Sequence, residues 1–149
     1  MNILRTIDEE YVARCYASAW KDITDDFTVD QKLFFPDMSE KNYWLTVHHD
    51  GEELGVFLGR PISAIQHEAH IVLLPEARGL ASEAARRCVT WMWENTISER
   101  LIGCIPVYNK LAIRLAHQAG FKEFGINEKS FMKNGKLWDQ VFFGISRGI

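Results

Sequence analysis

The sequence predicts an α/β protein with a mixed β-sheet, and three observations lead to this fold class. The spacing of apolar residues changes several times between a period near two, typical of strands, and one near 3.6, typical of helices. Two dipeptides, Asp50-Gly51 and Asn134-Gly135, lie beside alternating segments and predict tight hairpin turns. An apolar fraction of 47% in 149 residues is enough for one hydrophobic core. We therefore expect a single domain over residues 1–149.

The first half of the chain predicts a strand, a helix and then three strands. Asp8 is a suitable N-cap for a helix over residues 8–20, where apolar side chains recur at helical spacing. Residues 21–41 mix acidic and aromatic side chains without a consistent period. The predicted strands cover residues 3–5, 43–48, 54–60 and 66–74.

The second half alternates between helices and strands. One apolar stripe predicts a long helix over residues 78–95, and a second helix is predicted over residues 109–119, with Gly120 at its C-terminus. The predicted strands cover residues 101–105, 121–126 and 137–145. The order β-α-β-β-β-α-β-α-β-β is typical of an α/β protein with a mixed sheet.

Charge and composition argue against several classes of function. The net charge is -3 and the chain has no block of Lys or Arg, so we expect no nucleic-acid partner. No segment resembles a signal peptide or has transmembrane length, which favours a cytoplasmic protein without a membrane partner.

The cysteines and histidines do not form a metal-binding pattern. Cys15, Cys88 and Cys104 are widely spaced and include no Cys-x-x-Cys pair, so we expect free thiols and no covalent catalysis. His67 and His70 lie three apart on a predicted strand and would face opposite sides. We predict no metal site.

One segment has the features of a phosphate-binding loop. Residues 71–74 form the end of a strand, Pro75 stops the pairing, and Gly79 precedes the long helix. The first N–H groups of a helix lack intrahelical acceptors, and the helix dipole makes that end positive, so an anion can bind there. Arg78 adds a positive charge. The same pattern also occurs where a helix simply begins.

A second segment makes the interpretation specific. It contains Asn109, Ala112, Leu115, Gly120 and Phe121 at the spacing of a known motif. Together with the preceding loop, this segment resembles the GNAT superfamily of N-acyltransferases over about residues 43–145. The resemblance implies a GNAT-like fold: a mostly antiparallel mixed sheet flanked by helices, with two strands splayed at the CoA site.

The loop allows two alignments with the family. In the first, Gly79 and Ala81 match the family's paired small residues, and Glu76 replaces the usual Gln or Arg. In the second, Arg78 matches the family's Arg, and Glu83 falls at a small-residue position. Either alignment implies that acetyl-CoA, or a related acyl-CoA, binds at a loop that includes Arg78, Gly79, Leu80, Ala81 and Ser82.

The resemblance also implies contacts with the rest of the co-substrate. Backbone groups of Leu73 and Leu74 would pair with its pantetheine arm, and Asn109 would help to hold it. An N-cap role for Asn109 is an equally physical interpretation.

Transfer of an acyl group to an amine requires a base and often an acid. Glu68 and His70 share one face of a predicted strand and are candidate bases, although both also fit a structural role. Many family members use a tyrosine acid where this chain has Ala116, and Tyr108 is the candidate replacement.

The sequence says least about the acceptor substrate. Acidic residues between 22 and 40, such as Asp25 and Asp26, favour a cationic amine of a small molecule or a protein, but they also fit a solvated face. The alternative function is a non-catalytic interaction protein with a vestigial CoA pocket. Exposed aromatic side chains such as Trp93 or Trp138 would favour a homodimer; monomer and dimer remain open.

Overall fold

The strands and helices lie close to the segments that the apolar periods predict. The computed structural model describes residues 1–28 and 30–148. The strands are β1 (Asn2–Arg5), β2 (Tyr43–His49), β3 (Glu52–Pro61), β4 (Gln66–Leu73), β5 (Arg100–Pro106), β6 (Lys122–Lys133) and β7 (Lys136–Ser146). The helices are α1 (Glu9–Ser18), α2 (Trp20–Ile23), α3 (Ala81–Asn95) and α4 (Lys110–Gln118). In this described part, no helix is both long and apolar enough to cross a bilayer.

Short-range hydrogen bonds and backbone conformations determine where several of these elements begin or turn. The Asp8 side chain accepts a hydrogen bond from the Tyr11 N–H at 3.0 Å, which caps α1 as predicted. Both residues of Asp50-Gly51 and of Asn134-Gly135 have positive φ. This conformation matches the twist of antiparallel strands, so the two predicted hairpins are confirmed.

All seven strands form one sheet in the order β1-β2-β3-β4-β5-β7-β6. Only β4 and β5 pair in parallel, and every other neighbouring pair is antiparallel. The predicted mixed, mostly antiparallel α/β fold is therefore confirmed. The parallel pair lies at the centre of the sheet.

Helices cover both faces of the sheet. On one face, α3 and α4 bury a core that includes Leu45, Met92 and Phe143. On the other face, Val12 and Cys15 of α1 pack with Trp44, Val56 and Leu58 in a second core. A helical layer therefore covers each face of the sheet, and any gap between two strands lies between these two layers.

Candidate functional site

The two central strands separate along most of their length. β4 and β5 pair only from Gln66↔Arg100 to Glu68↔Ile102. Beyond this point β4 continues along β3, and β5 continues along β7. The sheet therefore opens into a gap between residues 69–73 and 103–106, the splay that the family resemblance implies.

Backbone polar groups of β4 face this gap. The Leu74 N–H donates to the Leu54 carbonyl at 2.9 Å, and the Leu74 carbonyl accepts from Ala77 N–H at 2.9 Å. Because backbone groups alternate in direction along a strand, Ile71 and Leu73 point their N–H and C=O groups away from β3 and into the gap. Leu73 and Ile71 therefore have backbone groups that face the gap, whereas the Leu74 N–H is paired with Leu54. Contacts of Leu73 and Leu74 with a bound donor stay a prediction.

A cavity of about 330 Å³, called here the central cavity, occupies the gap. On the α3 and α4 side it is lined mainly by small and aliphatic residues: Ala85, Val89, Ala112, Leu115 and Ala116. On the opposite side it is lined by Asp22, Ile23, His70, Phe131 and Gln140. Because residues of both faces contribute, the cavity passes through the sheet.

The beginning of α3 lies beside the end of β4 and presents unused N–H groups. Gly79 has φ +82°, and a Cβ placed there would meet no atom within 4 Å. The helix begins at Ala81, and its N-cap residue Leu80 makes no side-chain cap hydrogen bond. Within residues 1–28 and 30–148, the N–H groups of Ala81, Ser82 and Glu83 have no protein acceptor. This arrangement is suited to an anion.

The predicted start of this helix at Arg78 is wrong by three residues. Pro75–Ala77 forms a 3-10 turn, and the positive φ of Gly79 interrupts the helical path. Arg78 is exposed at this turn, so its charge remains next to the loop.

Asn109 is the N-cap of α4. Its Oδ1 accepts a hydrogen bond from the Ala112 N–H at 3.2 Å, so the capping interpretation of Asn109 is confirmed. Asn109 also lines the central cavity, which leaves a contact with a bound donor as a prediction.

Glu68 and His70 form a connected pair on one face of β4, as their spacing predicts. Glu68 Oε1 is hydrogen-bonded to His70 Nε2 and accepts a hydrogen bond from Arg60 Nη2 at 3.0 Å. The hydrogen bond from His70, aided by Arg60 and partly offset by burial, lowers the pKa of Glu68 to about 2. Glu68 is therefore an anion at neutral pH and a weak proton acceptor.

His70 also connects two cavities. A second cavity of about 580 Å³ lies between α1, α2 and the faces of β2 to β4, and His70, Ile71 and Ile23 line both it and the central cavity. We call this second space the aromatic cavity, because its lining includes Tyr16, Trp20, Phe34 and Trp44.

Tyr108 lies outside the gap. Its ring packs on Trp138, with 5.0 Å between ring centroids, and among the described residues it lines a cleft beside α2 rather than the central cavity. Burial raises the pKa of Tyr108, and the nearby Asp22 and Asp26 raise it further. Asp22 and Asn109 line both this cleft and the central cavity, so the two spaces adjoin, and the role of Tyr108 as the acid stays a prediction. Ala116, at the family's tyrosine position, does line the central cavity.

Cys104 lies in the gap but is a poor nucleophile. Burial raises the pKa of its thiol, and the negative charge of Glu68 raises it further. The thiol form predominates at neutral pH, in agreement with the expectation that catalysis is not covalent.

The carboxylates of Asp25 and Asp26 stabilise the loop after α2 and its contact with the β6–β7 turn. Asp25 Oδ1 accepts hydrogen bonds from the Phe27 N–H at 3.0 Å and the Thr28 hydroxyl at 2.6 Å. The Asp26 carboxylate accepts from the N–H groups of Asn134 and Gly135, both at 2.9 Å. Asp25 and Asp26 therefore act as caps, while Asp22, another acid of this segment, lines the central cavity, and the cationic acceptor stays a prediction.

Sequence reasoning missed several residues of the central cavity. Ile23 and Phe131 come from distant parts of the chain, and Gln140 lies on β7. Only Ile71 had a usable signal, since it precedes Leu73 by two residues and shares its backbone direction.

Comparison with known proteins agrees with this geometry. The family described as acetyltransferase (GNAT) domain matches residues 3–122. A mutant of the spermidine N-acetyltransferase of Vibrio cholerae is similar in structure, with a TM-score of 0.77, 16% identity, and coverage of 98% of this chain and 95% of that chain. The ribosomal-protein-alanine N-acetyltransferase of Brucella melitensis gives a TM-score of 0.74, 17% identity, and coverage of 99% and 100%. No curated protein matches the chain at a significant level. At these identities the structural likeness shows the fold.

Proposed function

This chain belongs to the GNAT acetyltransferase family, and we propose that it transfers an acetyl or other small acyl group from acyl-CoA to an amine. The observation that carries this proposal is the position of His70. It lies where the central cavity meets the aromatic cavity. One side chain therefore adjoins both the space that suits a donor and the space that suits an acceptor.

The residues beside the gap fit an acyl-CoA donor. The N–H groups of Ala81, Ser82 and Glu83, which have no acceptor among the described residues, suit a pyrophosphate, with the exposed Arg78 nearby. The open space at Gly79 lets an anion approach the backbone. The gap-facing groups of Ile71 and Leu73 suit the amides of a pantetheine arm. Acyl-CoA supplies an activated thioester, and the protein supplies its position.

His70 is the proposed general base. Because the Glu68 carboxylate can only accept a hydrogen bond, His70 Nε2 carries the proton in this pair, and Nδ1 is the basic nitrogen of the neutral ring. Glu68 orients the ring and stabilises its charge after proton uptake, a role that Arg60 supports by fixing Glu68.

The reaction follows from these positions. The amine nitrogen forms a bond to the thioester carbonyl carbon, and its proton passes to His70. A gap-facing N–H of β4, such as that of Ile71, stabilises the oxyanion. The carbon–sulfur bond then breaks, and CoA leaves as a thiolate that takes a proton from solvent. This departure needs no dedicated acid, which accommodates Ala116 at the position of the family's usual tyrosine.

Calorimetric titration with acetyl-CoA tests the donor site, with Gly79→Glu as the variant. A carboxylate at the start of α3 repels a pyrophosphate, so we expect binding to be lost. Gly51→Glu is a matched control, because Gly51 has φ +80° and equally open surroundings in the β2–β3 turn. Native protein that binds acetyl-CoA but releases no CoA with any amine would favour the non-catalytic alternative.

A further inference from the structure

The aromatic cavity indicates what the acceptor amine carries. Tyr16 of α1 stacks on Phe34 with 5.1 Å between ring centroids. The ring centroids of Phe34 and Trp20 are 5.3 Å apart. Tyr16 also meets the buried Trp44 edge-on at 5.7 Å. These four rings come from α1, α2, β2 and the loop between α2 and β2, and together they form one wall of the cavity.

The charged residues in this lining are neutralised in pairs. Among the residues that the structure describes, Arg60 lies 3.0 Å from Glu68, and Lys41 lies 3.9 Å from Asp37. Among the described residues, Asp25 and Asp26 do not line this cavity; their carboxylates cap the neighbouring loop and the β6–β7 turn. The cavity therefore presents rings rather than an excess of either charge.

Contacts from the β6–β7 hairpin hold α2 and the first residues of the loop that follows it. Lys133 Nζ donates to the carbonyls of Lys21 and Thr24 at 2.6 and 2.7 Å, and Asp26 holds the β6–β7 turn. These contacts fix α2, and with it Trp20, over the cavity. Trp20 is thus held in place before an acceptor binds, which lowers the entropic cost of binding.

We propose that the aromatic cavity is the acceptor subsite, and that it selects primary amines bearing an aromatic ring. This inference rests on the proposed acyl transfer and names the substrate class for it. A ring placed against Phe34 and Trp20 gains stacking contacts, and an amine on a short linker reaches His70 at the junction of the two cavities. A simple alkyl amine reaches His70 without those contacts.

Turnover with phenethylamine and with n-butylamine tests the subsite, using acetyl-CoA as donor. We expect a kcat/KM about tenfold higher for phenethylamine, the size of effect that one or two aromatic contacts supply. Phe34→Ala should remove this preference by lowering kcat/KM for phenethylamine more than for n-butylamine. Phe35→Ala is the matched control, because Phe35 is the next residue, is 75% exposed and does not line the cavity among the described residues.

Phe34→Leu covers the case in which the alanine variant fails to fold, since leucine keeps an apolar side chain and removes only the ring. Equal turnover of both amines by the native protein, a preference for a linear diamine, or a preference that survives in both Phe34 variants would overturn the aromatic subsite while leaving acyl transfer intact. No turnover with any amine would overturn acyl transfer and the subsite together.

Discussion

Filling the gap between β4 and β5 should raise the stability of the fold and weaken binding of the donor. Gly103→Val is the suitable change. Gly103 lines the central cavity, and a Cβ there would meet only the Ala69 carbonyl oxygen, at 3.8 Å. The valine side chain therefore enters open apolar space. Burial of a valine side chain contributes about 1.5–3 kcal/mol, and replacing a strand glycine adds about 0.5–1 kcal/mol. Allowing for incomplete contacts, we expect a net stabilisation of about 1–3 kcal/mol, which raises the Tm by several degrees.

The same side chain occupies the space proposed for the donor. Forcing a pantetheine arm past the added methyl groups costs about 1–3 kcal/mol, so acetyl-CoA affinity should fall about tenfold to a hundredfold. Thermal unfolding and calorimetry measure the two effects. Gly125→Val on β6 is the control, since its Cβ also has a single neighbour at 3.8 Å but lies away from the cavity. Unchanged acetyl-CoA affinity in a folded Gly103→Val protein would refute the placement of the donor in the gap.

Two further predictions concern His70 and Glu68. His70→Gln should lower kcat by about 10²–10⁴-fold with little change in acetyl-CoA affinity, and His117→Gln on α4 should not; equal rates in both variants would contradict the general-base role. Because the folded-state pKa of Glu68 is about 2 against an ordinary 4.5, its stabilising contribution is fully present above about pH 4.5 and disappears as pH falls towards 2. Urea unfolding between pH 5 and pH 3 should therefore show a steeper loss of stability in the native protein than in Glu68→Gln, and identical slopes would argue against this ion pair.

Local features were predictable because each depends on residues only a few positions apart. Asp8 caps α1, Asn109 caps α4, and the two Gly-containing turns adopt positive φ. In each case a side chain or a backbone conformation acts within four residues, so the surrounding segment contains the required information.

Two features show where this local information ends. The apolar stripe of α3 continues smoothly past Gly79, so the period could not show that the helix begins at Ala81. Leu74 likewise resembles Leu73 in sequence, but the pairing of β4 with β3 directs its N–H to Leu54. The start of a helix depends on backbone conformation, and the direction of a backbone N–H depends on strand register. The residue types alone reveal neither of these.

The sequence by itself determined the order of the elements, the hairpins, the helix caps and the loop that marks the family. The tertiary structure decided the gap, the place of His70 between two cavities, and the use of Asp26 as a cap for a turn more than a hundred residues away. It also assembled Tyr16 and Phe34, which no period connects, into one wall. These features depend on which strands pair and which faces are buried across the whole chain, and that choice is made by the combined burial of distant segments rather than by any one of them.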